Sequence, residues 1–421
     1  MEFDEQVGVR MRILATASLL LILVLLPGAS CEQEPKLIKV LGTGKAEGMP
    51  ILTMWFTTEP STDPTIIPTR AWGQVTPGDI KRYMRIYFPR TYEELSQYEF
   101  FFLAQVDMSF LTPKQQQWIY DALTTQQKGG VNTRSIMSVH PWFHEPWRDS
   151  IISKAFPNDV AAVIADAQNL EGRPGPLIIR DDPGLPPIMS PYKKMIEPLF
   201  QNYGGLNTVP KQGSVILSYT KNNAGIGYPI PGQIAHVFYW HWNRSITFTF
   251  RDMVYDRFWS QPGNPNANPY ALDIVVNVVW FSTGRKLPED AMKIHELRKL
   301  FYDYRIEKSI LAGLLDFAEK FGANPSKQYV RLSQIDDQRD SASDLYLTQQ
   351  FDPSYSAMKE AIDRLKRLEA SAVKLKNRAL MWVYTIEWTV TTGVLLVAGF
   401  ILWTLMVRRA LYREVSVTRA V

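Results

Sequence analysis

The sequence predicts an α/β fold with a mainly parallel sheet, followed by long helices and one C-terminal transmembrane helix. Three observations carry that prediction. Short apolar runs alternate with helical segments up to about residue 285, an amphipathic pattern takes over after residue 288, and the stretch 388–407, "WTVTTGVLLVAGFILWTLMV", holds twenty uncharged residues. At roughly 1.5 Å per residue that stretch is long enough for one bilayer crossing.

The α/β part begins with "PILTMWFTT" (50–58), read as a first strand, and "RYMRIYF" (82–88), read as a second. "TYEELSQY" follows as a short acidic helix or turn. "EFFFLAQVD" (99–107) is a continuous apolar run ending in an acid, the pattern of a buried parallel strand that stops at a ligand edge. "LTPKQQQWIYDALTTQQKGG" (111–130) is a helix with Thr112 as N-cap, Pro113 in its first turn and glycines at its close. "RSIMSV" (134–139) is the next strand. Strand, helix and strand at this spacing imply right-handed crossovers. Residues 170–212 are rich in proline and glycine and read as a long ordered loop or insertion. "GSVILSYT" (213–220) and "GQIAHVFYWHW" (232–242) return as strands, and "NPYALDIVVNVVWFSTG" (268–284) is an apolar helix ending at Gly284.

From residue 286 to 381 the sequence predicts a helical stalk or hairpin. A long amphipathic helix carries Ile294, Leu297, Phe301, Tyr304, Leu311, Leu315 and Ala318 on one side. A polar linker, 322–352, separates it from a second helix, whose seam of Met358, Ala361, Leu365, Leu368, Ala372, Leu375 and Ala379 alternates by three and four. That second helix is expected to be about 40 Å long and to run directly into the span. An intramolecular hairpin, a helix packed on the domain's own flank and an intermolecular coiled coil all fit this seam. The span is bounded as 382–407, with Trp382, Trp388 and Trp403 suited to the interfaces, and 408–421 as a cytoplasmic tail.

The other end sets the expected orientation. "MRILATASLLLILVLLPGASC" (11–31) has a basic start, an apolar run and then small residues, as in a secretory signal peptide, with Met11 as a possible true start. Residues 1–31 are therefore assigned to the signal, and Gly28 to Cys31 partly resemble a bacterial lipobox. Basic residues lie on both sides of the span, so the signal peptide decides: a type I, single-pass protein with its large domain, 32–285, on the extracytoplasmic side of the cell membrane. The net charge of +4 comes from nearly balanced acids and bases and suggests no nucleic-acid partner. Cys31 is the only cysteine, which excludes internal disulfides, cysteine metal clusters and a catalytic cysteine within the domain. "GTGKAEG" (42–48) lacks the order of a phosphate-binding loop and reads as a flexible linker. No cofactor motif is present, and no cofactor is expected.

"SVHPWFHEPWRD" (138–149) hangs from the end of the "RSIMSV" strand. His140 and His144 are four apart, but Pro141 and Pro146 forbid the regular helix that a zincin motif needs. Asp107, Ser138, His140, His144 and Glu145 are thus candidates for a ligand edge at the carboxyl ends of the strands, with His236 and His241 able to approach from a later strand. No pair has metal-ligand spacing on one regular element, so no metal site is assigned. Asn243 heads a glycosylation sequon.

The order "YEELSQYEFFFLAQVD", "LTPKQQQWIYDAL", "KGG", "WRDSIISKAFPNDV" and "GSVILSYT…IPGQIAHVFYWHWNRSITFTF" resembles membrane-anchored proteins with a class I glutamine amidotransferase-like domain. The likeness spans roughly residues 45–285 and implies a flavodoxin-like, three-layer sandwich. It also implies a nucleophilic cysteine on a tight turn after the central strand, yet that exit reads Ser138-Val139-His140. Thioester chemistry needs a thiolate, so the expectation is a non-catalytic sensor or scaffold tethered to the bilayer, with a protein partner in the envelope or a small ligand. Two rivals stand beside it: an extracytoplasmic hydrolase or metal-dependent enzyme using the His140/His144/Glu145 edge, and a subunit of an envelope transport or secretion complex.

Overall fold

Strand β3 (Phe100–Ala104) is buried along its whole length, and its alternate residues enter two different cores. The computed structural model describes residues 37–44, 55–68, 76–125, 134–139, 147, 149–159, 175–203, 209–222, 230–251, 257–259 and 267–418. Phe100, Phe102 and Ala104 face one core, while Phe101 and Leu103 face the other. This follows from the two-residue period of a strand, and it makes the sheet the middle layer of three.

Among the described residues, eight strands form that sheet: β1 (Ile38–Gly44), β2 (Thr62–Pro68), β3, β4 (Ser135–Val139), β6 (Leu177–Ile179), β8 (Val215–Lys221), β9 (Gln233–Trp242) and β10 (Ser245–Phe250). β5 (Asn158–Asp159) and β7 (Val209–Pro210) pair separately. The spatial order is β2-β1-β3-β4-β10-β9-β8-β6. β1 pairs in parallel with both β2 and β3, β3 with β4, and β4 with β10; the β10-β9, β9-β8 and β8-β6 pairs are antiparallel. The sheet is therefore mixed. Its parallel half has the flavodoxin-like order, with β10 in the fifth place.

One face is covered by α1 (Pro77–Tyr87), α2 (Tyr92–Leu95) and α3 (Pro113–Thr124). α3 starts as the sequence predicts: Thr112 Oγ1 accepts from the Gln115 backbone nitrogen at 3.3 Å, and Gln115 Oε1 accepts from the Thr112 nitrogen at 2.9 Å. The other face meets α5 (Ala271–Ser282), α6 (Ala291–Lys320), α7 (Ser326–Leu347) and the start of α8 (Phe351–Thr418), with the short α4 (Lys193–Ile196) between.

Four expectations are corrected. Residues 55–58 are helical, and the first strand is β1, so the proposed linker at 42–48 begins inside the sheet. Gly44 ends β1 at φ 130°, and a Cβ there would sit 1.9 Å from the Ala104 carbonyl oxygen, so the close β1-β3 approach requires glycine. The supposed strand 82–88 belongs to α1, because Ile80, Met84 and Phe88 recur every four residues and Thr76 caps the helix, whereas Ile86 and Tyr87 face solvent. The stretch 170–212 holds β6, α4 and β7 as well as loops. The polar linker 322–352 is mostly α7, whose buried side includes Leu332, Ile335, Ala342 and Tyr346.

Beyond α7 the chain forms a single 68-residue helix, α8, in which Met358, Ala361, Leu365, Leu368, Ala372 and Ala379 are buried. The seam packs against α6 and α7 of the same chain. Further along, α8 contains an 18-residue window of mean hydropathy 2.2, none of it buried, so this helix is long and apolar enough to cross a membrane.

Candidate functional site

The carboxyl ends of β1, β3 and β4 lie side by side, with Gly44 opposite Ala104 and Ala104 opposite Val139. In doubly wound sheets ligands collect at the crevice where strand order reverses, which here is between β1 and β3. The chain leaves β3 through Gln105, whose φ of 48° is in the left-handed region that side chains other than glycine rarely adopt. Gln105 is buried, and among the described residues neither its amide nitrogen nor its carbonyl oxygen has a hydrogen-bond partner. A buried, unsatisfied carboxamide costs about 1–3 kcal/mol, and strained backbone concentrates at binding sites. Thr43 Oγ1 at the end of β1 and Asn158 Nδ2 on β5 are likewise buried and, among the described residues, unpartnered. Together they offer hydrogen-bond donors and acceptors without charge.

The candidates from the sequence fall into separate places. Asp107 is exposed, and its Oδ1 accepts from the Ser109 nitrogen at 3.0 Å and from Ser109 Oγ at 2.7 Å, so its carboxylate closes the turn Met108–Phe110. Ser138 is fully buried in β4, with its Oγ 3.3 Å from Thr249 Oγ1 on β10; Thr249 in turn donates to Asn158 Oδ1 at 3.1 Å. Among the described residues no histidine reaches Ser138. His140, His144 and Glu145 lie outside the described residues.

His236 and His241 part company. His236 is buried near the carboxyl end of β10, where its backbone oxygen accepts from the Arg251 nitrogen at 3.0 Å and its Nδ1 is 2.7 Å from Ser218 Oγ. His241, five residues further along β9, is exposed beside the β9-β10 turn, at the opposite edge of the parallel strands. Asn243 is exposed in that same two-residue turn, with φ 46° followed by 72° at Arg244. This is the twisted hairpin connection that asparagine tolerates. Among the described residues, no three His, Cys, Asp or Glu side chains converge as a metal site.

A second polar cluster lies on the other side of the α5 layer. Arg298 of α6 donates through Nη1 to Asp273 Oδ1 at 3.1 Å and to Asn277 Oδ1 at 3.2 Å, both on α5. Its Nε donates to the Tyr346 hydroxyl of α7 at 2.9 Å and lies 3.6 Å from Glu59 Oε2. Tyr346 donates to Glu59 Oε2 at 3.2 Å, Ser61 Oγ to Glu59 Oε1 at 2.6 Å, and Trp280 Nε1 to Ser61 Oγ at 2.9 Å. His295 Nδ1 sits 2.7 Å from Asp273 Oδ2. Burial works against the charge on Arg298, but Tyr346, Glu59 and Asp273 outweigh it and hold the guanidinium above its ordinary pKa. Burial raises the Tyr346 phenol well above its ordinary value, Glu59 adds to that rise, and Arg298 opposes it. The cluster joins Glu59 and α5 to α6 and α7 through buried hydrogen bonds, and so fastens the helices to the α/β layer.

Gln105 and the Arg298 cluster were both missed in the sequence. Gln105 does interrupt an apolar run, and Asp273 and Asn277 stand four apart in an otherwise apolar helix, which marks one polar stripe.

No protein-family model matches the chain, and no curated protein matches it in sequence. Among solved structures, a cytoplasmic protein from Salmonella typhimurium LT2 is similar with a TM-score of 0.38 and 11% identity, over 58% of this chain and 99% of that one. A ThuA-like protein from Parabacteroides merdae is similar with a TM-score of 0.32 and 12% identity, over 61% and 94%. At these scores neither neighbour bears on what this chain does.

Proposed function

We propose that this chain is a single-pass, type I envelope protein whose α/β domain lies on the extracytoplasmic side and acts without catalysis, as a sensor or scaffold for a protein partner or small ligand. The observation that carries this reading is α8, which starts in the core beside Trp280 and Tyr346 and continues unbroken through the apolar window. At about 1.5 Å per residue, its 68 residues extend about 100 Å. A rigid helix passes rotation and displacement from the domain to the bilayer, which a flexible tether would absorb.

A non-catalytic role is supported by Ser138, sealed in the sheet at the position where the resemblance implies a nucleophile, and by the single cysteine, Cys31, which precedes β1. The ligand or partner group best suited to the β1-β3 crevice is uncharged and polar, because Gln105 and Thr43 are themselves uncharged hydrogen-bonding groups. The test has two arms. Protease added to spheroplasts should remove the α/β domain; cutting confined to residues beyond 407 reverses the orientation. The tagged full-length chain, captured from detergent-solubilised membranes, should bring down a stoichiometric partner or ligand that the Gln105→Leu variant loses. Recovery of the chain alone sinks the sensor reading, and ammonia release from glutamine sinks the non-catalytic one.

A further inference from the structure

α6 and α8 run in the same direction. Lys293 near the start of α6 pairs with Asp352 near the start of α8, and Asp303 lies in the field of Lys366. α7 returns antiparallel, with Arg298 on Tyr346 at 2.9 Å and Lys308 on Asp336 at 2.6 Å. The α6-α7 turn, 321–325, therefore lies at the end of the three-helix unit nearest the span.

Burial along α8 measures how far that turn reaches. Ala379 is buried, Leu380 and Val383 are half-buried, and every residue from Tyr384 to Trp403 is exposed. The uncharged stretch starts at Trp388, five residues past Val383, or about 8 Å along the axis. The polar headgroup layer on each side of a bilayer is about 5–8 Å deep, so the end of the hairpin falls at its depth.

What the hairpin presents there is apolar and aromatic. Phe317 and Phe321 are exposed with ring centroids 4.6 Å apart, and Tyr329 and Val330 are exposed on the first turns of α7. Exposed Trp382 lies at the same level of α8, and exposed Trp388 about 9 Å further along it. Aromatic side chains of this kind favour the membrane–water interface. Charge agrees: Lys327, Arg331, Lys374, Lys376 and Arg378 outnumber Glu319 and Glu387, while Lys320 and Asp316 pair with each other at 2.7 Å. Basic residues at this level attract anionic headgroups.

We infer that the α6-α7 turn is a second membrane contact, resting on the lipid headgroups beside the emerging α8 with Phe317 and Phe321 as its apolar foot. This inference depends on 388–407 being a membrane span. The occupant is the lipid surface, because the foot lies within two helical turns of the span on the same rigid unit.

The experiment uses the full chain in nanodiscs of phosphatidylcholine and phosphatidylglycerol. A fluorophore is placed on a single cysteine in a Cys31→Ser background, at Phe321→Cys, Val330→Cys, Val394→Cys or Lys286→Cys, and nitroxide lipids labelled near the headgroup or deep in the tail serve as quenchers. Residues 321 and 330 should lose fluorescence mainly to the shallow quencher, 394 mainly to the deep one, and 286 to neither. If 394 is quenched while 321 and 330 behave like 286, the inference is overturned and the span stands. If none is quenched, both are overturned. Shielding of 321 and 330 without quenching, together with a doubled mass, would assign the foot to a second copy of the chain instead.

Discussion

Arg298 and Asp273 form a 3.1 Å ion pair in which each side chain is only 1% exposed, and through it α6 is fastened to α5. Glu59, fully buried, lies 3.6 Å from the same guanidinium. Replacing Arg298 by methionine leaves two buried carboxylates without their cation. The expected loss is about 3–5 kcal/mol, read from the urea midpoint. Adding Glu59→Gln and Asp273→Asn should recover part of it, since neighbours in one network are not additive. A methionine variant as stable as the parent would show that the cluster does not fasten the helices.

Alkaline pH tests the same region through Tyr346 and Tyr192, whose phenols burial raises above their ordinary value. In the unfolded chain these groups titrate near 10. Above that pH the unfolded chain loses protons that the folded chain keeps. Their stabilising contribution is therefore complete below about pH 10 and is lost as pH rises through the folded values. Tyrosinate absorbance from these two residues should appear only as the protein unfolds. Tyr346→Phe should weaken the fold at neutral pH, by stripping Glu59 and Arg298 of a partner, and should flatten the alkaline decline. An alkaline decline unchanged by Tyr346→Phe contradicts the assignment.

The α8 seam is tested at Leu365 and Leu368, both buried. Aspartate at both positions should lower the stability of the α/β domain and of α6 and α7 together, leaving oligomeric mass unchanged. A stable domain that shifts from dimer to monomer would make the seam a contact between chains.

Trp147 is buried against Phe156 with ring centroids 5.2 Å apart. Trp147→Ala should cost about 3–5 kcal/mol, measured by thermal unfolding followed through near-UV circular dichroism. A negligible shift would mean that the ring is not part of the core beneath α3.

Elements whose signals are concentrated were legible in the sequence. β3 announces itself by five consecutive apolar residues buried on both sides, α3 by its Thr112–Gln115 cap, and α8 by leucines and alanines spaced three and four apart. Dilute signals failed. β1 carries Lys39 and two glycines, so its seven residues look like a linker until β2 and β3 enclose them. α7 spreads Leu332, Ile335, Ala342 and Tyr346 over 22 polar residues, and its helix depends on packing against α6 and α8 that no local pattern encodes. The strands before Asp107 and around Ser138 were legible, but Asp107 closes an exposed turn and Ser138 is buried within β4. The positive φ of Gln105 and the lack of a partner for its carboxamide among the described residues are properties of three-dimensional placement, which its interruption of an apolar run does not specify.

Because α8 has no break between Ala379 and Trp388, the domain and the apolar stretch 388–407 share one helical phase. Each residue inserted at 384–386 would turn the domain by about 100° around the helix axis and raise it by about 1.5 Å, and seven would return nearly the same side at about 10 Å greater height. Insertions of one to seven residues thus form an angular scale. A partner that grips one side of the domain would lose and regain contact periodically along that scale, while one that senses only height would respond in steady steps.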